Sequence, residues 1–564
     1  MRKTDVVSST SGLHAAVRRF APLAFVLAVT TTHVVIAARS VGPMYLFDEV
    51  GYLAGANVIA GGSGDWSLCG SSYAVGYSTV LAPLWWLPVS TITVYQFAVV
   101  VSALVGAAVM WPATALARVL GASTWASLLI GALVTLVPAR ALLDNYVIAE
   151  NPLTFAVVAA TFYAFRLSRH ATASAHVAFG VLIGTATALH ARAYPFAFVA
   201  IVWLGVRAWR QDSSWLLALA AIVPIVGIGG VGYAGMSVVG SQLFPDDSRT
   251  DDLFAGTSVQ RVLEVVSGQL FTQAFSWSLL TVLGALAVAS RLRRLWRTRR
   301  LDALGDGHTF VAGSVVAMGV ATVLLLASSA EYGVRIDLPF FGRYLDPFLV
   351  SVVVIGSSTF VSRHRRRLTS IAAITTGVTV LVFVAAVLPR LNPDGTWIPL
   401  AVPGLLPVLD PLAGDDRPYL IVAATVALVT CAFFWVARRR PMLVLSAALV
   451  IAGTVTLVTD AFHVDPFEEE VRARSPLYGY IGGLDGPDIT FAADQVGCAA
   501  RNKLQFELVG RVEIVDAGGD YGRQLVIGPA PEWPVMESAG YARIPFTMWN
   551  SAAVWVYTDS LDRH

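Results

Sequence analysis

Charge is scarce in this chain: 13% of its 564 residues are Asp, Glu, Lys or Arg, against 56% hydrophobic residues. Lysine is scarcer still, with Lys3 and Lys503 the two in the chain, so arginine carries nearly all the positive charge. Neither lysine follows a glycine, which excludes a GxxxxGK[S/T] phosphate loop. A net charge of +2 offers no global electrostatic case for a nucleic-acid partner. Internal repeats and low-complexity tracts are missing as well.

What is present is apolar sequence in long runs. Mean hydropathy is +0.66. Stretches of about 20 apolar residues, enough for a helix to cross a hydrocarbon core, recur from residue 20 to residue 460. In a soluble fold they would alternate with polar faces, and mostly they do not. The pattern predicts a multi-span α-helical membrane protein with thirteen spans: 20–40, 93–117, 123–139, 151–167, 173–190, 194–209, 214–236, 273–290, 309–329, 344–361, 368–388, 419–437 and 441–459.

The arginines fall in clusters between these stretches: Arg18–Arg19, Arg118, Arg166 with Arg169, Arg207 with Arg210, RLRRLWRTRR (291–300), RHRRR (363–367) and RRR (438–440). With a cytoplasmic N-terminus, every one of them lies in a cytoplasmic gap, as the positive-inside rule requires. The first apolar stretch is longer than the core of a signal peptide, and AARS at 37–40 is a poor cleavage site, so it reads as a retained span. The opposite gaps, 41–92, 140–150, 191–193, 237–272, 330–343, 389–418 and everything after 460, are then extracytoplasmic. Any chemistry is expected to face outward.

From 461 the composition becomes that of a soluble protein. Two domains follow: 1–460, polytopic, and 461–564, a small extracytoplasmic α/β domain. LQFELVGRVEIVDAG (504–518), QLVIGPAPEW (524–533) and YARIPFTMWNSAAVWVYT (541–558) alternate like half-buried strands. Trp533, Trp549 and Trp555 either stack on sugars or pack a core. Cys431 lies in a span, whereas Cys69 and Cys498 both map to the oxidising side, which allows a disulfide between them without requiring one.

The first outward gap opens with FDEVGYLAGANVIAGG (47–62), a short helix on the membrane surface with Asp48 and Glu49 in its first turn and Gly61–Gly62 at its end. An acid there also suits the helix dipole, so capping is the plain alternative to chemistry. Further along come SSYAVGYSTVLAPLWWLP (71–88), ARALLDNYVIAENPL (139–153), HARAYP (190–195) and FFGRYLDP (340–347). Each piece is short, but their order on one face resembles the GT-C superfamily of integral membrane glycosyltransferases, notably its protein-mannosyltransferase and aminoarabinose-transferase-like branch.

The resemblance implies a polyprenyl-phosphate sugar as donor and an acceptor outside the cytoplasm: a cell-envelope glycan, lipid or protein. An inverting transfer needs a carboxylate to take the acceptor's proton and cations to stabilise the departing phosphate. Asp48 holds the family's first-loop acid position, with Glu49 as its substitute. Asp144 and Glu150 are candidates for a second acid, although Glu150-Asn151-Pro152 also reads as a helix start. For the phosphate, Arg192 and Arg343 are the best donors, with Arg140 and Arg335 behind them and Tyr344 and His190 adding hydrogen bonds. The four carboxylates could hold a divalent cation, though their spacing is not diagnostic. PDDSRTDD (245–252) reads as a polar loop over the site, and the proline-rich 389–418 as a re-entrant or surface stretch. The competing function is a transporter or flippase of lipid-linked sugars. It would place ionisable groups near the bilayer midplane, whereas here they gather at one surface.

Overall fold

The computed structural model describes residues 8–62, 66–244, 257–298, 303–362, 366–392, 395–409, 417–464, 489–492, 496–509, 513–515, 525–529, 538, 541–548 and 552–557. Its helices are α1 (Ser8–Ala37), α2 (Asp48–Ile59), α3 (Val75–Leu81), α4 (Thr91–Ala108), α5 (Met110–Val119), α6 (Thr124–Leu136), α7 (Pro138–Ala141), α8 (Glu150–Leu167), α9 (Ala173–Leu189) and α10 (Tyr194–Trp209). They continue with α11 (Trp215–Leu243), α12 (Val259–Trp277), α13 (Leu280–Thr298), α14 (Ala303–Ala327), α15 (Asp346–Val361), α16 (Arg366–Val382), α17 (Arg417–Val436), α18 (Pro441–Thr459) and α19 (Cys498–Glu507).

Local chemistry sets many of the helix starts. Ser90, Ser123, Thr172, Ser214 and Ser258 each accept the N–H of the residue three positions on, which satisfies a donor that the helix itself leaves unpaired. Prolines sit in the first turns of α10, α15 and α18, where a missing N–H costs nothing. Where helices approach closely, glycine makes room: a Cβ on Gly180 would lie 2.1 Å from the Ala221 carbonyl of α11.

Among the described residues, eight helices are long and apolar enough to cross a membrane, or eleven if each bent pair is one span. This is a multi-pass membrane protein. The remaining two expected stretches form α8 and α9, helices of 18 and 17 residues. The stretch 273–290 is corrected: it is not a straight helix, because the chain turns by 110° between α12 and α13, where Ser278 adopts a positive φ of 52°. Apolar composition across 273–290 is continuous, so hydropathy could not show the break.

A second correction concerns α2. Its apolar face is not offered to lipid, because every residue from Glu49 to Asn57 is buried, with α3, α11 and α19 packed around it. The C-terminal segment holds a five-stranded sheet in the order β2-β1-β3-β5-β4, from β1 (Ile489–Ala492), β2 (Glu513–Val515), β3 (Leu525–Pro529), β4 (Tyr541–Met548) and β5 (Ala552–Tyr557). β1 runs parallel to β2 and β3, while β5 is antiparallel to β3 and β4. The start of 504–518 is not a strand: Leu504–Glu507 close α19, and among the described residues of the stretch β2 is the strand.

Candidate active site

Asp48 and Glu49 are neighbours in the first turn of α2, and successive helical residues are rotated by about 100°. Their carboxylates therefore meet different surroundings. Asp48 faces a cavity of about 110 Å³, where its Oδ1 accepts a hydrogen bond from the Tyr73 hydroxyl at 2.8 Å and its Oδ2 lies 2.7 Å from Arg343 Nη2. Burial pushes the Asp48 carboxyl up, but the Arg343 guanidinium and the Tyr73 hydroxyl outweigh it and hold the group below the usual carboxylate range.

Glu49 is fully buried and turned from that cavity. Its Oε2 accepts the backbone N–H groups of Met44 and Tyr45, both at 2.8 Å. Its Oε1 accepts from the Val147 N–H at 2.8 Å and the Tyr95 hydroxyl at 3.0 Å. Four donors from three separate segments converge on this one carboxylate. It ties the first loop to the loop before α8, and it does not share the position of Asp48.

Three further chain segments complete the cavity. Glu150 enters from the first turn of α8, with Oε1 2.8 Å from Arg192 Nη2 and 3.3 Å from Arg343 Nε. Arg192 follows His190 in the turn between α9 and α10. Its guanidinium lies over the Tyr344 ring, 4.0 Å from the centroid, and its Nε is 3.0 Å from His190 Nε2. Arg343 and Tyr344 come from the turn Gly342–Tyr344 that precedes α15. Two carboxylates and two guanidiniums thus meet at one wall, in balance of charge, with His190, Tyr344, Tyr52 and Ser71 lining the remainder.

Other expected residues lie elsewhere. Asp144 is buried against His33 Nδ1 of α1 and accepts from Asn151 Nδ2 at 2.9 Å, so it faces the first span rather than the cavity. Arg140 is buried beside it and donates to Asn151 Oδ1 at 2.9 Å. Arg335 forks onto Asp337 and Glu331 on a different loop. The four carboxylates consequently do not fit a shared divalent cation: Glu49 and Asp144 point into separate packing sites, while Asp48 and Glu150 both face arginine. Among the described residues no group of three His, Cys, Asp or Glu side chains could hold a metal ion.

The residue most easily overlooked is Tyr73. It sits in the quoted SSYAVGY stretch, where a tyrosine among small residues carries no sign of its role. Its ring is wedged between Tyr52 and Phe244, and a Cβ on Gly51 would come within 2.6 Å of it. The glycine at 51 leaves the space that lets Tyr73 reach Asp48.

The loop bearing Asp48 is also gripped from the far end of the chain. Cys69 and Cys498 are joined by a disulfide, with Cα atoms 5.4 Å apart. Asn502 accepts from the Cys69 N–H at 2.9 Å and donates to the Cys69 and Leu46 carbonyls, while Gln505 pairs with both backbone groups of Ser67. Trp555 is buried in the sheet, which leaves its ring unavailable for a sugar. Trp533, Trp549 and the segment 245–252 lie outside the described residues. The proline-rich stretch supplies Leu400, whose N–H donates to the Tyr45 hydroxyl at 2.8 Å.

In fold the bundle, with its buried first-loop helix and its ionic cluster where α8, α10 and α15 begin, is similar to solved structures of ArnT. The crystal structure of ArnT from Cupriavidus metallidurans bound to undecaprenyl phosphate matches over 96% of this chain and 98% of its own, with a TM-score of 0.55 at 14% identity. The apo state of the same protein matches over 96% and 99%, with a TM-score of 0.52 at 15% identity. The Archaeoglobus fulgidus oligosaccharyltransferase tethered with an acceptor peptide matches over 73% of this chain and 56% of its own, at a TM-score of 0.39 and 11% identity. In sequence, no family model and no curated protein matches the chain. The resemblance visible in the sequence therefore holds at the level of fold.

Proposed function

We propose that the protein is a glycosyltransferase that moves a sugar, with inversion, from a polyprenyl-phosphate donor to an extracytoplasmic acceptor such as a cell-envelope glycan, lipid or protein. The observation that carries this reading is the contact of Asp48 with Arg343 inside a cavity that Glu150 also lines, with Arg192 held against Glu150 and the Tyr344 ring. A base and one phosphate-binding cation share this small space, and a second cation stands directly beside it. The ArnT structure bound to undecaprenyl phosphate supports the class of donor.

In the proposed reaction the acceptor hydroxyl attacks the anomeric carbon and gives its proton to Asp48. The bond from that carbon to the phosphate oxygen breaks, and the phosphate leaves with the electron pair, its charge met by Arg343 and Arg192. Glu150, in the cavity wall, orients both guanidiniums. At rest Asp48 is a weak base, because Arg343 stabilises its ionised form. A donor phosphate competes for that guanidinium, which returns Asp48 toward ordinary basicity when there is a sugar to transfer. His190 and Tyr344 hold Arg192 in place.

The same reading puts the N-terminus in the cytoplasm, residues 1–460 in a polytopic catalytic domain and 461–564 in an extracytoplasmic domain beside the acceptor path. The test is a transfer assay in membranes with radiolabelled polyprenyl-phosphate sugars. Asp48→Asn is expected to lower turnover by at least about a hundredfold, the low end for a positioned general base, with folding intact. Undiminished turnover in that variant would refute the mechanism. Failure of every donor, with sugar-lipid translocation in its place, would favour a flippase.

A further inference from the structure

The opposite end of the bundle carries a second charged cavity. α15 runs about 24 Å from its start beside Arg343 to Val361. Beyond that end lies a space of about 170 Å³ lined by Phe360, Ser362, Arg366, Thr369, Arg438 and Arg439. Its apolar floor is built: Phe360 and Phe434 are both buried, with ring centroids 5.4 Å apart. Arg438 lies over the Trp435 ring, 4.6 Å from its centroid, and the Trp435 indole donates to Ser370 Oγ at 3.2 Å. The guanidinium is thus placed by packing.

Arg438 Nη1 donates to the Trp435 carbonyl at the end of α17, but among the described residues no carboxylate neutralises these arginines. Among the described residues none of Arg366, Arg438 and Arg439 is paired with a carboxylate, and the chain contains no Asp or Glu from 347 to 393 or from 417 to 459. Moreover, α16 begins at Arg366 and α18 begins at Pro441 directly after the RRR run, so two positive helix ends add to the positive side chains. Like charges held this way favour an anion between them. An adjoining cavity of about 160 Å³ shares Ser362 and is lined by Ser358, whose buried hydroxyl has no hydrogen-bond partner. The outward surface of α17 and α18 beside the opening is apolar, with Phe433, Val436 and Leu443 exposed.

We infer that this is a binding site for an anionic phospholipid of the membrane leaflet opposite the active site, with the headgroup phosphate between Arg366, Arg438 and Arg439. A hydroxylated headgroup reaches Ser358 in the adjoining cavity, and the acyl chains follow Phe433, Val436 and Leu443. Trp435 sits at the headgroup level, where the indole's apolar body and polar edge both find partners. The phosphate bridges α16 to the α17–α18 hairpin. The inference is independent of any transferase activity.

The test is binding of short-chain phosphatidylglycerol, phosphatidylcholine and inorganic phosphate to the detergent-solubilised full chain. Saturable binding of phosphatidylglycerol is expected, at least about tenfold tighter than phosphatidylcholine, whose choline cation cancels the headgroup's net charge and sets a like charge against the arginines. The double variant Arg438→Gln/Arg439→Gln and the mouth-blocking variant Ser362→Trp, which keeps every charge, are each expected to weaken it by about tenfold or more. Arg293→Gln/Arg294→Gln, on the last turns of α13 and outside the cavity, should leave it unchanged. Equal affinity in wild type and both site variants would overturn the proposal, as would phosphatidylcholine binding as well as phosphatidylglycerol. Inorganic phosphate binding as tightly as the lipid would overturn the assignment to a lipid and leave a free-anion site.

Discussion

Arg343 Nη2 lies 2.7 Å from Asp48 Oδ2, although 295 positions of chain separate the two residues. The pair joins the first loop to the turn before α15. It also sets the resting basicity of Asp48, because the guanidinium favours the ionised carboxylate.

Arg343→Gln is therefore expected to act in two ways. Turnover falls through loss of a phosphate contact, and the acid limb of the rate profile moves to higher pH, because burial then acts on Asp48 without its main counter-charge. The same shift appears in stability. In the wild type the folded Asp48 has the lower pKa, so it contributes stability above its unfolded value that is lost as pH falls through the folded one. In Arg343→Gln that contribution shrinks or reverses in sign. Melting midpoints between about pH 3 and pH 7, measured for both proteins, check this.

Asp48 and Glu49 are expected to separate experimentally. Asp48→Asn removes turnover and lowers the melting midpoint only by the contribution of its pair with Arg343, which keeps Glu150 as a partner. Glu49→Gln sets an amide NH2 against buried N–H donors, and an unsatisfied buried group costs about 1–3 kcal/mol. It should lower stability clearly while the properly folded fraction keeps its turnover. Denaturation monitored alongside the transfer assay distinguishes the two.

Gly51→Ala tests the link between α2 packing and the site. The added Cβ displaces the Tyr73 ring and breaks its hydrogen bond to Asp48. Both Gly51→Ala and Tyr73→Phe are expected to reduce turnover by about tenfold, a hydrogen bond to a charged group being worth roughly 1.5–3 kcal/mol. Combined, they should be no worse than either alone, since each removes the same interaction.

The grip of α19 on the first loop is open to reduction. Removing a disulfide typically costs about 2–5 kcal/mol. Dithiothreitol is expected to lower the melting midpoint of the wild type and not that of Cys69→Ser/Cys498→Ser. Asn502→Leu should destabilise further, because it strands the backbone groups of Cys69 and Leu46 that the amide satisfies.

Much of the architecture was legible in the chain. Apolar runs of spanning length, arginine clusters at alternate ends and hydroxyl or proline helix starts are local signals, and each of the thirteen expected stretches overlaps a helix. The order of DE, HARAYP and FFGRYLDP was enough to suggest the GT-C fold. The break at Ser278 was not legible, because a bend inside continuous apolar sequence leaves hydropathy unchanged. Nor was the helix at Leu504–Glu507, whose alternation fitted a strand equally well.

Within the site, the resemblance pointed to Asp48, Glu49, Asp144, Glu150, Arg192, His190, Arg343 and Tyr344 together. It could not say which acids share a space. Asp48 and Glu49 are one residue apart, and only the rotation of α2 and the loops packed on it send one into the cavity and the other onto four backbone and hydroxyl donors. Asp144 likewise meets His33 because α1 passes beside it. Sequence by itself determined that this is a multi-pass chain, because apolar stretches of spanning length recur along it and transfer from water to lipid acts on each residue where it stands. The tertiary structure decided the partners, because hydrogen bonds and ion pairs depend on distances that arise only when remote segments pack together.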